Sequence, residues 1–168
     1  MRRTIFTNSM NKMILYSIFI VIAFSGIGLV VAQSDAINFT AFDINGNKII
    51  LSNYYDKLIL LDFWATWCPP CKKEIPNLID IKNTFKNQKF EIISVNGYER
   101  GEDSIAAKFV RDNNMNWIHI IDKKLGAEIA GKYNVQYIPA IFIIKNGKIV
   151  EANLRGEELK RRIGELLK

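Results

Sequence analysis

The sequence is poor in cysteine and histidine, the usual ligands of structural zinc. It has two cysteines and a single histidine, His119, in 168 residues. Zinc sites usually need four ligands from two Cys pairs or from Cys plus His, so this composition argues against a zinc centre. Repeats and low-complexity segments are also lacking, and no basic stripe with interleaved aromatic residues supports nucleic-acid binding. The length leaves room for one domain with its own core and some extra elements.

One segment of the N-terminal region lacks charged residues. Residues 13–32 contain no charged side chain and are mostly apolar. At ~1.5 Å of rise per residue, a helix of this length reaches about 30 Å, the thickness of a bilayer core. Arg2, Arg3 and Lys12 precede the segment. The positive-inside rule then predicts that residues 1–12 form a cytoplasmic tail and that the rest of the chain is sent across the membrane.

Two fates of this apolar segment remain open. It is either an uncleaved transmembrane signal anchor or a signal peptide cleaved after the small-residue site at residues 30–32. Its length exceeds the usual apolar core of a signal peptide, which favours the anchor. In both cases we expect residues 33–36 to form a short polar tether. Residues 37–168 then form a domain that faces an extracytoplasmic space.

Both cysteines lie in one short segment, residues 67–71, which reads Trp-Cys-Pro-Pro-Cys. The apolar run at residues 58–64 leads into it and a helix-like segment at residues 72–85 follows, which indicates a strand, a tight turn and a helix start. Unpaired N–H groups and the dipole at a helix N-terminus stabilise a thiolate, the reactive form of cysteine. The pattern therefore predicts Cys68 as the nucleophile. Cys71, one helical turn deeper, is predicted to resolve a mixed disulfide.

Two other uses of the cysteine pair are weaker. A metal half-site needs further ligands, and His119 is far away in sequence. A structural disulfide that closes so short a loop constrains the unfolded chain little. Pro69 and Pro70 suit a first helical turn, because their φ is fixed and they lack N–H donors. We therefore predict a redox-active disulfide between Cys68 and Cys71.

Residues 61–76 read Leu-Asp-Phe-Trp-Ala-Thr-Trp-Cys-Pro-Pro-Cys-Lys-Lys-Glu-Ile-Pro. This segment resembles the active-site segment of the thioredoxin superfamily, and more narrowly that of the TlpA/ResA-like membrane-tethered thiol:disulfide oxidoreductases. The resemblance extends from about Ile37 to the C-terminus. It implies an α/β thioredoxin fold, with a mixed central sheet flanked by helices, an N-terminal hairpin and an extra central segment at residues 104–132. Asn-Gly turn signals at residues 45–46 and 146–147 predict two hairpins.

Two acidic residues are candidates for the site. Asp62 interrupts an apolar strand; an edge position facing solvent is one interpretation, but its apolar neighbours favour burial and a raised pKa. The resemblance places Asp62 at the buried-acid position of thioredoxins and implies that it takes a proton from Cys71 during resolution. Glu74 lies three residues after Cys71 and so shares its helix face. A solvated helix charge is the alternative, while the resemblance implies a place near the active site.

The client-facing surface is predicted from the residues around the cysteines. Pro139 precedes a predicted strand, where an ordinary trans proline is common. The resemblance instead implies a cis-proline packed against the cysteine pair, with the backbone of Ile138 pairing with a client strand. Trp67 lies beside the nucleophile and is assigned to the same surface, together with Pro69 and Pro70.

Together these features predict an extracytoplasmic thiol:disulfide oxidoreductase without a metal or organic cofactor. The resemblance implies client proteins with Cys pairs, such as apocytochrome c before haem attachment, and a membrane electron donor of the DsbD/CcdA type. A copper-delivery protein on the same fold is the alternative. Such proteins add a His to cysteines that usually have three residues between them, whereas here there are two, and His119 lies in no matching motif. A peroxiredoxin-like peroxidase is disfavoured, because its peroxidatic cysteine typically follows a Thr/Ser-x-x-Cys pattern and has no resolving cysteine three residues later, where this sequence has Cys71.

Overall fold

The structure is a computed structural model, and it describes residues 34–168. The predicted cytoplasmic tail at residues 1–12 and the predicted anchor or signal peptide at residues 13–32 lie outside the described residues, so both stay predictions. Within residues 34–168, no helix combines the length and the apolar character needed to cross a bilayer.

A six-stranded mixed sheet forms the centre of the domain, in the order β1-β8-β7-β4-β5-β6. Strands β4, β5 and β6 are parallel to one another, while β7 is antiparallel to both β4 and β8, and β1 is antiparallel to β8. A separate hairpin is formed by β2 and β3. The strands are β1 (Ser34–Asp35), β2 (Thr40–Phe42), β3 (Lys48–Ile50), β4 (Leu58–Phe63), β5 (Phe90–Val95), β6 (Ile118–Ile120), β7 (Ala140–Lys145) and β8 (Lys148–Ala152).

Four α-helices and one short 3-10 helix (Leu51–Tyr54) accompany the sheet in the described residues. The α-helices are α1 (Pro69–Thr84), α2 (Asp103–Asp112), α3 (Lys123–Lys132) and α4 (Gly156–Leu166). Buried residues of α1 and α4 share a core cluster with one face of the sheet. Residues of α3 and of the β2–β3 hairpin share another cluster with the opposite face. This layered α/β arrangement confirms the predicted thioredoxin-fold class.

The central strand β4 determines on which face of the sheet Asp62 lies. All six of its residues are buried, as expected of a strand covered on both sides. Leu58 and Leu60 pack with α1 and α4, whereas Ile59 and Leu61 pack on the opposite face. Because side chains alternate along a strand, Asp62 points to the same side as Leu58 and Leu60. The acid therefore lies on the side of the sheet that α1 covers.

Two boundaries differ from the sequence predictions. The helix-like segment was predicted at residues 72–85, but α1 already begins at Pro69, as the suitability of both prolines for a first helical turn indicated. Residues 33–36 were predicted to be a tether. Ser34–Asp35 instead pairs with the edge of β8, and the Lys148 ammonium lies 2.7 Å from the Asp35 carboxylate. The segment is short, polar and exposed, so its sequence has no strand pattern, although it forms an edge strand.

Candidate active site

The two cysteines form a disulfide at the N-terminus of α1. Cys68 is the N-cap residue of the helix, and Cys71 lies in its first turn. Both side chains are buried in a cluster that includes Trp64, Ile75 and Val110. The end of β4 and the start of α1 thus hold the sulfurs at the sheet edge where the parallel strands terminate.

The proline pair decides which helix donor reaches the nucleophile. The backbone N–H of Cys71 donates to Cys68 Sγ, with 3.2 Å between nitrogen and sulfur. Pro69 and Pro70 occupy the two positions between them and have no N–H. The Cys71 amide is therefore the first donor of α1 available to the sulfur. Such a bond, together with the helix dipole, favours the thiolate of Cys68 once the disulfide is reduced.

Ile138 and Pro139 lie against the disulfide from a distant part of the chain. The peptide bond between them is cis. The carbonyl oxygen of Ile138 lies 3.8 Å from Cys68 Sγ. Pro139 is buried, and its carbonyl accepts a hydrogen bond from the Arg155 guanidinium. The structure therefore brings the predicted client-binding backbone to the predicted nucleophile.

Asp62 is a buried carboxylate with one donor. Its side chain is 3% exposed, and its Oδ2 accepts a hydrogen bond of 3.2 Å from the Ser94 hydroxyl. Burial raises the pKa of Asp62 to about 7, against the opposing effects of the Ser94 hydrogen bond and the positive charge of Arg155, while the negative charge of Glu74 adds to the rise. The sequence predicted burial and a raised pKa, and the structure adds a hydrogen-bond partner from the neighbouring strand β5.

The Ser94 hydroxyl is itself held by a second donor. The indole N–H of Trp117 donates to Ser94 Oγ over 2.8 Å. This bond uses a lone pair of the hydroxyl oxygen, so the hydroxyl proton is left to point at Asp62. Trp117, Ser94 and Asp62 thus form a directed chain of hydrogen bonds that ends on the buried acid.

Glu74 makes contacts that its sequence position did not reveal. Its Oε1 accepts from the backbone N–H of Gly156 over 2.9 Å and from the Asn77 amide over 2.6 Å. Gly156 is the first residue of α4, so the carboxylate binds the N-terminus of that helix. With the Cys68–Cys71 disulfide formed, Glu74 joins α1 to α4. Its assignment as a catalytic residue stays a prediction.

A second buried carboxylate, Glu99, holds the loop before the nucleophile. Its oxygens accept from the Thr66 N–H and hydroxyl, from the Asn96 amide and from the Arg100 N–H, over 3.0–3.1 Å. Burial acts to raise the pKa of Glu99, but the four hydrogen bonds outweigh it and lower the pKa below its usual value. Glu99 is therefore ionised at neutral pH and fixes the backbone two residues before Cys68.

His119 does not belong to a ligand set. Its ring packs between Trp64 and Trp117, and its Nε2 lies 3.0 Å from the Met115 carbonyl oxygen. Burial lowers its pKa to about 4, so the ring is neutral at physiological pH. Residues 34–168 contain no group of three or more His, Cys, Asp or Glu side chains placed to hold a metal ion. The copper-delivery alternative thus lacks a third ligand in the described part of the chain.

Sequence reasoning did not identify Ser94, Glu99, Arg100 or Arg155 as residues of the site. One signal was available for the loop at residues 96–100: it follows β5, and parallel strands place their carboxyl ends at one edge of a sheet, where sites usually lie. Arg155 gives no comparable signal, because an arginine ahead of a helix has the pattern of an ordinary surface charge.

The fold and the buried disulfide define a thioredoxin-fold thiol:disulfide oxidoreductase. The AhpC/TSA family matches residues 32–152. Thiol-disulfide oxidoreductase ResA of Bacillus thuringiensis is 37% identical over 136 residues, which cover 80% of this chain and 75% of the relative. ResA of Bacillus subtilis is 37% identical over 130 residues, which cover 76% of this chain and 70% of the relative. The chain belongs to the AhpC/TSA family and, within it, to the ResA-type thiol-disulfide oxidoreductases.

Solved structures agree with this assignment. The thioredoxin domain of a thiol-disulfide oxidoreductase from Bacteroides vulgatus is similar with a TM-score of 0.73 and 29% identity, covering 82% of this chain and 99% of that domain. StoA from Bacillus subtilis is similar with a TM-score of 0.64 and 26% identity, covering 74% of this chain and 95% of that chain.

Proposed function

We propose that the protein acts outside the cytoplasm as a reductant of disulfides in client proteins. The observation that carries this proposal is the position of Cys68. It caps α1, it is joined to Cys71, and its sulfur lies 3.8 Å from the carbonyl of Ile138, beside a cis-proline. A client strand that pairs with this backbone brings its own disulfide to Cys68.

The exchange proceeds in two displacements. The Cys68 thiolate attacks one sulfur of the client disulfide, forming a mixed disulfide and releasing the other client sulfur, which takes up a proton. The Cys71 thiolate then attacks Cys68 Sγ and releases the second client sulfur as a thiolate, which also takes up a proton. Two electrons and two protons pass to the client, and the protein is left with the Cys68–Cys71 disulfide, the state of this structure.

Asp62 is the proposed proton acceptor of the second displacement. It lies on the sheet face covered by α1, and its raised pKa of about 7 allows it to gain and lose a proton near neutral pH. Accepting the proton of Cys71, directly or through water, generates the thiolate that resolves the mixed disulfide.

The proposal extends to partners and location. Repeated turnover needs a donor that returns two electrons to the disulfide, and a membrane protein of the DsbD/CcdA type is the proposed source. Apocytochrome c with its cysteine pair is the proposed example of a client.

The anchor at residues 13–32 is proposed to hold the protein in the cell membrane, with residues 37–168 outside. Cleavage of that segment gives a secreted or periplasmic protein instead. A native chain that stays in the membrane through carbonate extraction supports the anchor, and a mature chain starting at Gln33 contradicts it.

Trapping of clients tests the roles of the two cysteines. Cys71→Ser removes the resolving thiol, so mixed disulfides through Cys68 are expected to accumulate, whereas Cys68→Ser is expected to trap few. Non-reducing gels of cells that express each variant measure the difference. Equal trapping by the two variants contradicts the assignment.

The reduction potential tests the proposed direction of electron flow. A reductant is expected to equilibrate with a glutathione series closer to the value of thioredoxin, about −270 mV, than to that of the oxidant DsbA, about −120 mV. A potential near the DsbA value would reverse the proposed direction while leaving the oxidoreductase assignment intact.

A further inference from the structure

An exposed aromatic ring with a cation on its face lies beside the nucleophile. Trp67 immediately precedes Cys68 and is 37% exposed, although it is a large apolar side chain. The guanidinium carbon of Arg100 lies 3.9 Å from the centre of a Trp67 ring, within the range of a cation–π contact. We refer to these two side chains as the Trp67–Arg100 platform.

Hydrogen bonds fix the backbone under both members of the platform. The Trp67 indole N–H donates to the Tyr98 carbonyl over 2.7 Å. The Glu99 carboxylate accepts from Thr66, directly before Trp67, and from the backbone N–H of Arg100. One buried carboxylate therefore orders the two loops together, and the contact with the Trp67 ring places the guanidinium beside the nucleophile.

The positive charge of Arg100 is not neutralised by an ion pair within the described residues. In residues 34–168, no carboxylate forms an ion pair with Arg100. The negative charge of Glu99 is buried and fully engaged by its four donors. Lys72 and Lys73, also exposed, follow Cys71 on α1, while Glu102 is an exposed carboxylate two residues beyond Arg100. The balance of exposed charge around the nucleophile is positive.

We propose that the Trp67–Arg100 platform binds an acidic side chain of the client next to its disulfide. Tyr137, 66% exposed, precedes Ile138, whose carbonyl lies 3.8 Å from Cys68 Sγ, and offers an exposed aromatic ring in the same loop. The occupant is thus an extended client segment with Asp or Glu near its cysteine. Charge complementarity favours this occupant, because the guanidinium is exposed and retains hydrogen-bond donors for a carboxylate. The inference rests on the proposed client-reducing function and adds a substrate class to it.

The test compares two synthetic peptides of equal length, each closed by one disulfide and carrying either Asp or Lys beside the cysteines. The reduced full chain is mixed with each peptide at low ionic strength, and the reduced peptide is quantified by chromatography after acid quenching. Each rate is divided by the rate with dithiothreitol, which corrects for the effect of the flanking charge on the peptide disulfide itself. Arg100→Gln is the test variant. Arg111→Gln, which removes an exposed arginine from α2, is the matched control.

We expect the full chain to reduce the Asp peptide about two- to five-fold faster than the Lys peptide, the range expected for one exposed ion pair. The preference is expected to decrease in Arg100→Gln and at high salt, and to persist in Arg111→Gln. Equal normalised rates, or an unchanged preference in Arg100→Gln, overturn the inference but not the proposed function. Failure to reduce either peptide overturns the proposed function and the inference with it. Equal rates together with Arg100-dependent binding to anionic lipid vesicles would assign the cation to a membrane surface instead.

Discussion

Two buried carboxylates belong to the segments around the disulfide, and their pKa values are shifted in opposite directions. Asp62, a buried residue of β4, has one hydrogen-bond donor and a pKa raised to about 7. Glu99, in the loop after β5, has four donors and a lowered pKa. Their exposed fractions are similar, 3% and 7%. Asp62 nevertheless lies deeper in the domain than Glu99, so the depth of burial and the number of donors together separate their pKa values.

The difference has a functional meaning. A carboxyl that titrates near neutral pH exchanges protons with its surroundings, as the resolving step at Cys71 requires. A carboxylate that stays charged and is held by four donors serves to fix its neighbours, here Thr66 and Arg100. Asp62 is thus the proposed acid of the resolving step, while Glu99 is a positioning residue.

The largest expected effect is on stability when Asp62 is changed to Asn. Because the pKa of Asp62 is raised on folding, the folded protein keeps a proton that the unfolded chain loses between about pH 4 and pH 7. The contribution of Asp62 to stability is therefore fully present below pH 4 and is lost as pH rises through about 7. Asp62→Asn is expected to be more stable than the wild type by about 2–4 kcal/mol at pH 8, with little gain at pH 4.

Urea denaturation of the oxidised full chain at several pH values measures this effect. Asp56→Asn, which changes an exposed aspartate whose only ion-pair contact within residues 34–168 is at 3.8 Å, is the control for the general effect of removing a negative charge. An equal gain at pH 4 and pH 8 would show that the Asp62 carboxyl does not titrate in the range stated here.

Removing the second carboxylate is expected to act in the opposite direction. Glu99→Ala leaves the Thr66 N–H and the Asn96 amide without their acceptor inside the protein. We expect a loss of about 2–3 kcal/mol in the free energy of unfolding at pH 7, the typical cost of leaving buried donors of a charged acceptor unsatisfied. Glu102→Ala is the matched control, because this exposed N-cap residue of α2 makes no capping bond through its side chain. A Glu99→Ala variant as stable as Glu102→Ala would contradict the comparison.

A smaller effect is expected from Ser94, the single donor of Asp62. Ser94→Ala removes the hydrogen bond that opposes the burial effect, so the pKa of Asp62 is expected to rise further, by about one unit. Carbon NMR titration of labelled aspartate carboxyls measures the shift. Ser104→Ala, an exposed serine of α2, is the control. If the Asp62 titration does not move, the Trp117–Ser94–Asp62 chain has no role in setting its protonation.

The same two carboxylates show which features of the fold and the site could be predicted from the sequence. The strand–turn–helix context of the cysteines, the Asn-Gly hairpins and the apolar strand around Asp62 are local patterns, and they predicted the fold, the site and the burial of the acid. The partners of the two carboxylates are not local: Ser94 is 32 residues from Asp62, and Thr66 is 33 residues from Glu99. Sheet register and loop packing bring these pairs together. A single sequence does not show such contacts, so Glu99, Arg100 and Arg155 were not identified.

The pH dependence of the resolving step tests the central claim most directly. Reduced full chain is mixed with a disulfide peptide in a stopped-flow instrument from pH 5 to pH 9, and the decay of the mixed disulfide is followed for the wild type and Asp62→Asn. The account predicts an inflection near pH 7 in the wild type that is lost in Asp62→Asn, with slower resolution near neutral pH and a smaller change in the attack by Cys68. Identical resolution profiles in the two proteins would contradict the assignment of Asp62 as the proton acceptor for Cys71.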